Sequence, residues 1–407
     1  MTRRRAGLLL TAAALLALCG CGGGRPGTAG NASTAAAALT AAPRPSGTAA
    51  GAAGGTARTG CAGAPASPAA AGSAPAGVQF VSRSAGWAVL GQDAILATAD
   101  GGQRWVTQYR TTARAGLSSV DFVDPAHGWV VGTSAVLATA DGGRHWQALP
   151  EPCPRIRALH FLTPAVGFAV AGGSQPGPPV TGGVLLVTSD GGRTWRQQAA
   201  PPDVQSVCFT SPGLGWLGAN GSIYGTRDGG QTWALAVRGP AGGPAQATVQ
   251  CAGGGAAWAE VIGPGAAMSQ EPHVGYHTSG SAWAPIFAEQ YFPHPGVTVS
   301  AQAPGSYAGP FSAVSPAQAV FIDACTACGA GTAPMDLAAD GGAVLQPRGN
   351  VGGITLAAAA AFVTPGTGWV VGTQTTLHPS GAATAVIRIM HTGDGGRTWQ
   401  AQYTAGS

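Results

Sequence analysis

Residues Val120–Trp146 read VDFVDPAHGWVVGTSAVLATADGGRHW. Apolar residues alternate through VDFVD, GWVVG and AVLATA, the period-two pattern of strands with one face in a core. Pro125-Ala126-His127-Gly128 before the second run marks a tight turn. Asp141-Gly142-Gly143 after the third run is a hairpin signal: the aspartate accepts bonds from nearby backbone amides, and glycine supplies the positive φ that the turn needs. The fourth strand starts at His145-Trp146, so the stretch predicts four short antiparallel strands.

The same unit recurs along the chain. Copies end at Trp105, Trp146, Trp195, Trp233 and Trp399, and two worn copies lie between the fourth and the last, one ending at Trp283 and one at Leu345. A marker follows Gly or Ala at the start of each second strand: Trp87, Trp129, Phe168, Trp216, Trp258, Val320 and Trp369, spaced by 39 to 62 residues. All 11 tryptophans fall either on this marker or at the end of the Asp-Gly-Gly motif. In the fifth copy Thr278 is read in the place of the aspartate; the sixth keeps Asp340 but carries Leu345 for tryptophan. Repeats of 40–50 residues with four strands each suit radial blades. The predicted fold is all-β, a seven-bladed β-propeller of four-stranded antiparallel blades over residues 77–407.

Composition agrees with a turn-rich β protein. Of 407 residues, 67 are glycine and 31 proline, and only 9% are charged. The chain has no lysine, and from residue 77 onward 14 arginines face 16 acids, so no basic field invites nucleic acid. The N-terminus is different in kind. Arg3, Arg4 and Arg5 precede an apolar run from Ala6 to Leu18, the layout of an export signal, which at 13 residues is too short to span a bilayer as a helix. Leu18-Cys19-Gly20-Cys21 resembles a bacterial lipobox, which implies a signal peptide over 1–20, lipidation at Cys21 and an address on the outer face of the cell membrane. Residues 21–76 are nearly all Ala, Gly, Pro, Ser and Thr without an aromatic, a composition that predicts a disordered tether reaching roughly 40 Å.

The T-x-D-G-G-x-T-W pattern is similar to the Asp-box, or bacterial neuraminidase repeat, with matches at Asp100/Trp105, Asp141/Trp146, Asp190/Trp195, Asp228/Trp233 and Asp394/Trp399. The whole unit looks most like the photosystem II assembly and stability factor branch, with sortilin-type propellers also similar. The resemblance implies that the boxes are folding elements and that the ring is a binding or assembly scaffold for a protein or an envelope polymer. The alternative is a carbohydrate-active hydrolase, either another glycosidase or one of sialidase type. That chemistry requires an arginine triad and a Tyr/Glu pair, for which only Tyr276 with Glu260, or Tyr291 with Glu289, offer themselves.

No cofactor and no metal are called for, because no glycine-rich loop opens a helix and Cys325-x-x-Cys328 lacks two further zinc ligands. An even set of cysteines in an exported chain points to disulfides. Cys208 and Cys251 precede their markers by eight and seven residues, which places them on the first strands of adjacent blades and predicts a bridge. Cys325–Cys328 is expected as a local bridge, leaving Cys61 with Cys153. The segment holding His273, Tyr276, His277, Tyr291, Phe292 and His294 is the candidate interface, since its aromatics lie among proline and glycine.

Overall fold

A computed structural model describes residues 77–406 apart from 92, 112–115, 133–135, 151, 153–155, 172–181, 241, 266–269, 281, 290–296, 300, 325–332 and 379–382. Cys21, Cys61, Cys153, Cys325, Cys328, Tyr291, Phe292 and His294 lie outside the described residues. All described residues belong to one unit, Gly60–Ser407.

Seven four-stranded antiparallel sheets follow one another as blades 1 to 7, spanning residues 77–110, 119–149, 156–200, 204–237, 246–288, 311–350 and 356–406. Each blade is built from four consecutive strands paired in chain order. First strands pack on first strands around the ring, and that of blade 7 (Leu356–Thr364) meets that of blade 1 (Gly77–Phe80). They form the hub. Fourth strands such as Val106–Arg110 and Ala234–Val237 carry mostly exposed residues and form the rim. Second strands such as Gly86–Leu90 and Gly167–Ala171 are buried on both faces, which is why they read as unbroken apolar runs.

The core lies in the seams between blades. Phe122 of blade 2 stacks on marker Trp87 of blade 1 with ring centroids 3.5 Å apart. Phe161 stacks likewise on Trp129, Phe209 on Phe168, and Phe80 on Trp369 across the closing seam. Where a phenylalanine holds the paired register, the glycine before the marker is required: a Cβ on Gly128 would lie 2.4 Å from the Phe122 ring.

One register position stitches the ring. The first-strand residue paired with each marker is Gln79, Asp121, His160, Cys208, Gln250, Ser312 and Ala361 in blades 1 to 7. Gln79 exchanges two hydrogen bonds with the Phe122 backbone. Asp121 accepts from the Phe161 amide at 2.7 Å, and His160 donates to the Phe209 carbonyl at 3.0 Å. Gln250 donates to the Phe311 carbonyl and accepts from the Ala313 amide, and Ser312 accepts from the Phe362 amide. Cys208 makes the same reach covalently, as a disulfide to Cys251 with Cα atoms 5.5 Å apart. Ala361, at the closing seam, has only a methyl group. There Trp369 Nε1 and Gln402 Nε2 both donate to the Gly101 carbonyl, at 3.1 and 3.0 Å.

Pairing corrects the reading of the fifth repeat. Thr278 pairs with Ala257 as Thr98 pairs with Gly86, so Thr278 is the box threonine and not the substitute for its aspartate. Blade 5 has lost two residues of the turn, because Thr278 and Trp283 are five apart whereas Thr98 and Trp105 are seven apart.

Candidate functional site

The Asp-boxes spend their polar groups on themselves. In blade 3 the Thr188 hydroxyl donates to Asp190 Oδ1 at 2.8 Å and accepts from the Gly192 amide at 2.9 Å. Asp190 Oδ1 also accepts from the Thr194 amide, and Oδ2 from the Thr194 hydroxyl at 2.6 Å. The Thr194 hydroxyl, then the backbone amide, hold the Asp190 carboxyl down at about 2. Asp141, Asp228 and Asp394 are held at about 2 by His145, Thr232 and Thr398 in the same way. Asp100 repeats the geometry through Thr98 and the Arg104 amide. Trp105, Trp146, Trp195 and Trp233 meet Phe80, Phe122, Phe161 and Phe209 edge-on, with centroids 5.8 to 6.3 Å apart. Trp399 packs against the core between blades 6 and 7. These carboxylates point into their own turns at equivalent places in five blades, and they converge on no common point.

Convergence occurs at the hub. A cavity of about 560 Å³ is lined by first-strand residues of blades 1, 2, 5, 6 and 7, together with the approach to blade 6. Its wall is small on one side (Gly77, Ala357–Ala360) and polar on another (Gln246, Thr248, Gln250). Alternation in the first strand of blade 5 turns Gln246 and Thr248 outward and sends Ala247 and Val249 into the core. Among the described residues of the lining, the one acidic residue is Glu260.

Glu260 is the front member of a buried cluster. It sits on the second strand of blade 5 (Ala256–Ile262), two residues past its marker, where blades 1, 2, 3, 6 and 7 carry Val89, Val131, Val170, Ile322 and Val371. His273 opens the third strand of blade 5, and Asp323 follows the second strand of blade 6 (Gln318–Ile322). The three are 3%, 0% and 1% exposed. His273 Nε2 lies 3.0 Å from Asp323 Oδ2, and His273 Nδ1 lies 2.7 Å from the Glu271 carbonyl. The Gly305 amide donates to Asp323 Oδ2 at 2.9 Å. Burial, then the charge of Asp323, push Glu260 well above the usual carboxyl range. Burial alone would lower the His273 imidazolium, but the hydrogen bond and charge of Asp323 and the charge of Glu260 outweigh it and carry the pKa up to about 9. Burial and the same Asp323 charge push Asp336 up to about 6.

The residues proposed as an interface are placed otherwise. His273–Thr278 is a strand inside blade 5 and not a surface loop. His273 and Tyr276 are buried, so neither can meet a partner directly, and burial drives the Tyr276 hydroxyl to about 12. His277 is half-exposed; its Nε2 bonds the Pro316 carbonyl at 2.8 Å, and its ring lies beside Trp258. The Tyr276–Glu260 pair is not assembled. Tyr276 pairs with Ala259 and faces the seam with blade 4 beside Trp216, while Glu260 faces blade 6. Glu289 is buried at the end of blade 5, where its amide donates to the His273 carbonyl. Asp323 escaped the sequence reading, and Glu260 entered it only as half of a hydrolase pair. The signal available was an acid at a register filled by valine or isoleucine in five other blades and by Gly218 in blade 4.

Residues 110–257 match the family model described as photosynthesis system II assembly factor YCF48. No curated protein matches the sequence. Among solved structures, "YCF48 bound to D1 peptide" is similar at 17% identity and a TM-score of 0.50, covering 73% of this chain and 89% of that one. The GH74 enzyme of Niastella koreensis is similar at 12% identity and a TM-score of 0.52, covering 81% and 66%. The GH74 xyloglucanase from Xanthomonas campestris is similar at 12% identity and 0.52, covering 80% and 67%. At such identities the structural likeness shows the propeller alone. With its self-satisfied turns and seven consecutive blades, the chain is a seven-bladed Asp-box β-propeller, and its residues 110–257 are similar to the YCF48 assembly-factor model.

Proposed function

We propose that this propeller is a non-catalytic binding and assembly scaffold, lipid-anchored through Cys21 on the outer face of a bacterial cell membrane, that receives a segment of a protein partner at its hub. The observation that carries the reading is the hub cavity. Five blades converge on it, and its wall offers amide and hydroxyl groups beside small side chains that let a chain approach closely. Gln246 and Thr248 present hydrogen-bonding groups two residues apart, the period at which an extended peptide presents its own. A D1 peptide is the ligand named for one structural neighbour; what carries over is the class, a protein segment, and not the photosynthetic partner.

Likeness to GH74 enzymes favours a second reading, a carbohydrate-active hydrolase. Glycoside hydrolysis ordinarily needs two carboxyls flanking the scissile bond. Glu260 is the one acid in the described cavity lining, and its acidic neighbour Asp323 is buried behind it.

A photo-crosslinking residue at Thr248 tests the scaffold, with Leu235 on the exposed rim as control. Adducts from position 248 that map to one peptide segment, absent from position 235 and weakened at least about tenfold by Gln246→Arg, support it. Turnover of a polysaccharide by the purified protein, abolished by Glu260→Gln, overturns it in favour of the hydrolase.

A further inference from the structure

Glu260, His273 and Asp323 each offer one ligand atom, and those atoms all lie within 4.8 Å of one another. The cluster has the parts of a cation site and an electrical deficit that such an ion would fill. His273 Nδ1 can only donate to the Glu271 carbonyl, which leaves Nε2 of the neutral ring as a lone pair aimed at the Asp323 carboxylate. Two acceptors 3.0 Å apart need a positive species between them. A backbone carbonyl on one ring nitrogen, with the other nitrogen turned to the ligand, is how metal-binding histidines are commonly oriented.

A proton on Nε2 answers only part of the demand. Glu260 Oε1 and Asp323 Oδ1 are both buried with no hydrogen-bond partner. Each such orphan is costly, and more so when charged. A divalent cation satisfies these oxygens and the imidazole together. Bonds of about 2.0–2.2 Å from one centre hold ligand atoms about 3–4 Å apart, so the cluster needs only a small contraction. The way in exists, because Glu260 lines the hub cavity.

We propose that Glu260, His273 and Asp323 form a binding site for one first-row divalent cation, of the Mn²⁺ or Zn²⁺ class, in the seam between blades 5 and 6. One imidazole with two carboxylates suits those ions better than the all-oxygen shells of Ca²⁺ or Mg²⁺. The cation ties the second and third strands of blade 5 to blade 6, at one of the seams without the phenylalanine-on-marker stack of blades 1 to 4, because Ala313 holds that register. The site stands independently of the scaffold reading, since its occupancy is measured without any partner.

The test uses the purified folded protein, stripped with a chelator and titrated with MnCl₂ and with ZnCl₂ by calorimetry while melting temperature is followed. Expected are one equivalent bound and a higher melting temperature. Glu260→Gln and Asp323→Asn, close in shape to the originals, should each weaken binding by roughly 100-fold or more, given that loss of outer partners alone costs 10–100-fold. His145→Ala, which removes an exposed histidine beside Asp141, should leave it unchanged. Absence of saturable binding in the wild type, or equal binding by folded Glu260→Gln and Asp323→Asn, overturns the site and leaves a proton-sharing cluster. If those variants do not fold, Mn²⁺-induced broadening of the His273 ring resonances in the wild type decides: broadening supports the site, and none refutes it.

Discussion

Cys251 occupies the register held by Phe80, Phe122, Phe161 and Phe209 in blades 1 to 4, and its partner Cys208 occupies the register of Gln79 and Asp121. One covalent bond between blades 4 and 5 thus replaces both the stacked ring and the side-chain stitch that join the earlier blades. Closing a loop of 43 residues constrains the unfolded chain by about 4 kcal/mol in the chain-entropy treatment. Cys208→Ser with Cys251→Ser should therefore lower the unfolding free energy by about that amount, read as a lower denaturant midpoint at unchanged slope, and reductant should reproduce the loss in the wild type. An unchanged midpoint would show that the seam holds without the bond.

Trp87 and Phe122 illustrate the aromatic version of the same seam. Both are buried and stacked at 3.5 Å, and Trp87 Nε1 also donates to the Gly142 carbonyl of blade 2. Truncating either to alanine should cost about 3–5 kcal/mol. A double-mutant cycle should return a coupling of about 0.5–1.5 kcal/mol. Additive losses would mean that the rings merely fill space.

The boxes make stability depend on acid. Asp190 is held at about 2 against an ordinary 3.8, and Asp141, Asp228 and Asp394 behave alike. A carboxyl depressed in the folded state contributes stability that is present above its unfolded pKa and lost as pH falls toward its folded value. The stability that the boxes contribute, read as the melting-temperature difference from a fourfold Asp→Asn variant, should hold from neutrality to about pH 4 and fall between pH 4 and 2. The fourfold Asp→Asn variant should start lower at pH 7 and fall less over that interval. An equal fall would assign the acid transition to other groups.

Anchoring is testable apart from folding. Cys21→Ala should release the propeller into the medium or leave an uncleaved precursor. A processed mutant that still partitions into detergent would place the anchor elsewhere.

Local signals made the ring readable in the sequence. Asp-Gly-Gly needs positive φ at both glycines, as at Gly142 and Gly143 (φ +74° and +87°), and few residues other than glycine serve there. Each blade therefore carries its own punctuation. Where punctuation is lost, register is lost with it: the shortened turn after Thr278 hid which residue was the box threonine, and only its pairing with Ala257 shows it. Blade 6 keeps Asp-Gly-Gly but has Ala338 in place of the box threonine, and Asp340 there adopts φ +52°. The buried cluster was less legible for a different reason. Glu260 and His273 lie on two strands of blade 5 and Asp323 just past a strand of blade 6, so their meeting depends on sheet register and on the seam between two blades. Glu260 alone left a trace, a charge inside an apolar strand.

Because every sheet is completed by neighbouring strands, no blade waits for the far end of the chain. A propeller emerging from a ribosome or a membrane pore can assemble in the order of its sequence, each new blade covering the apolar face its predecessor has just exposed. The last event is different in kind: blade 7 must find blade 1 with no side-chain stitch from Ala361, guided by Phe80 against Trp369 and by the bonds to Gly101. A chain halted before Phe311 would hold five blades with the Trp258 face bare, and that unfinished edge is what a chaperone or protease at the exit site would meet.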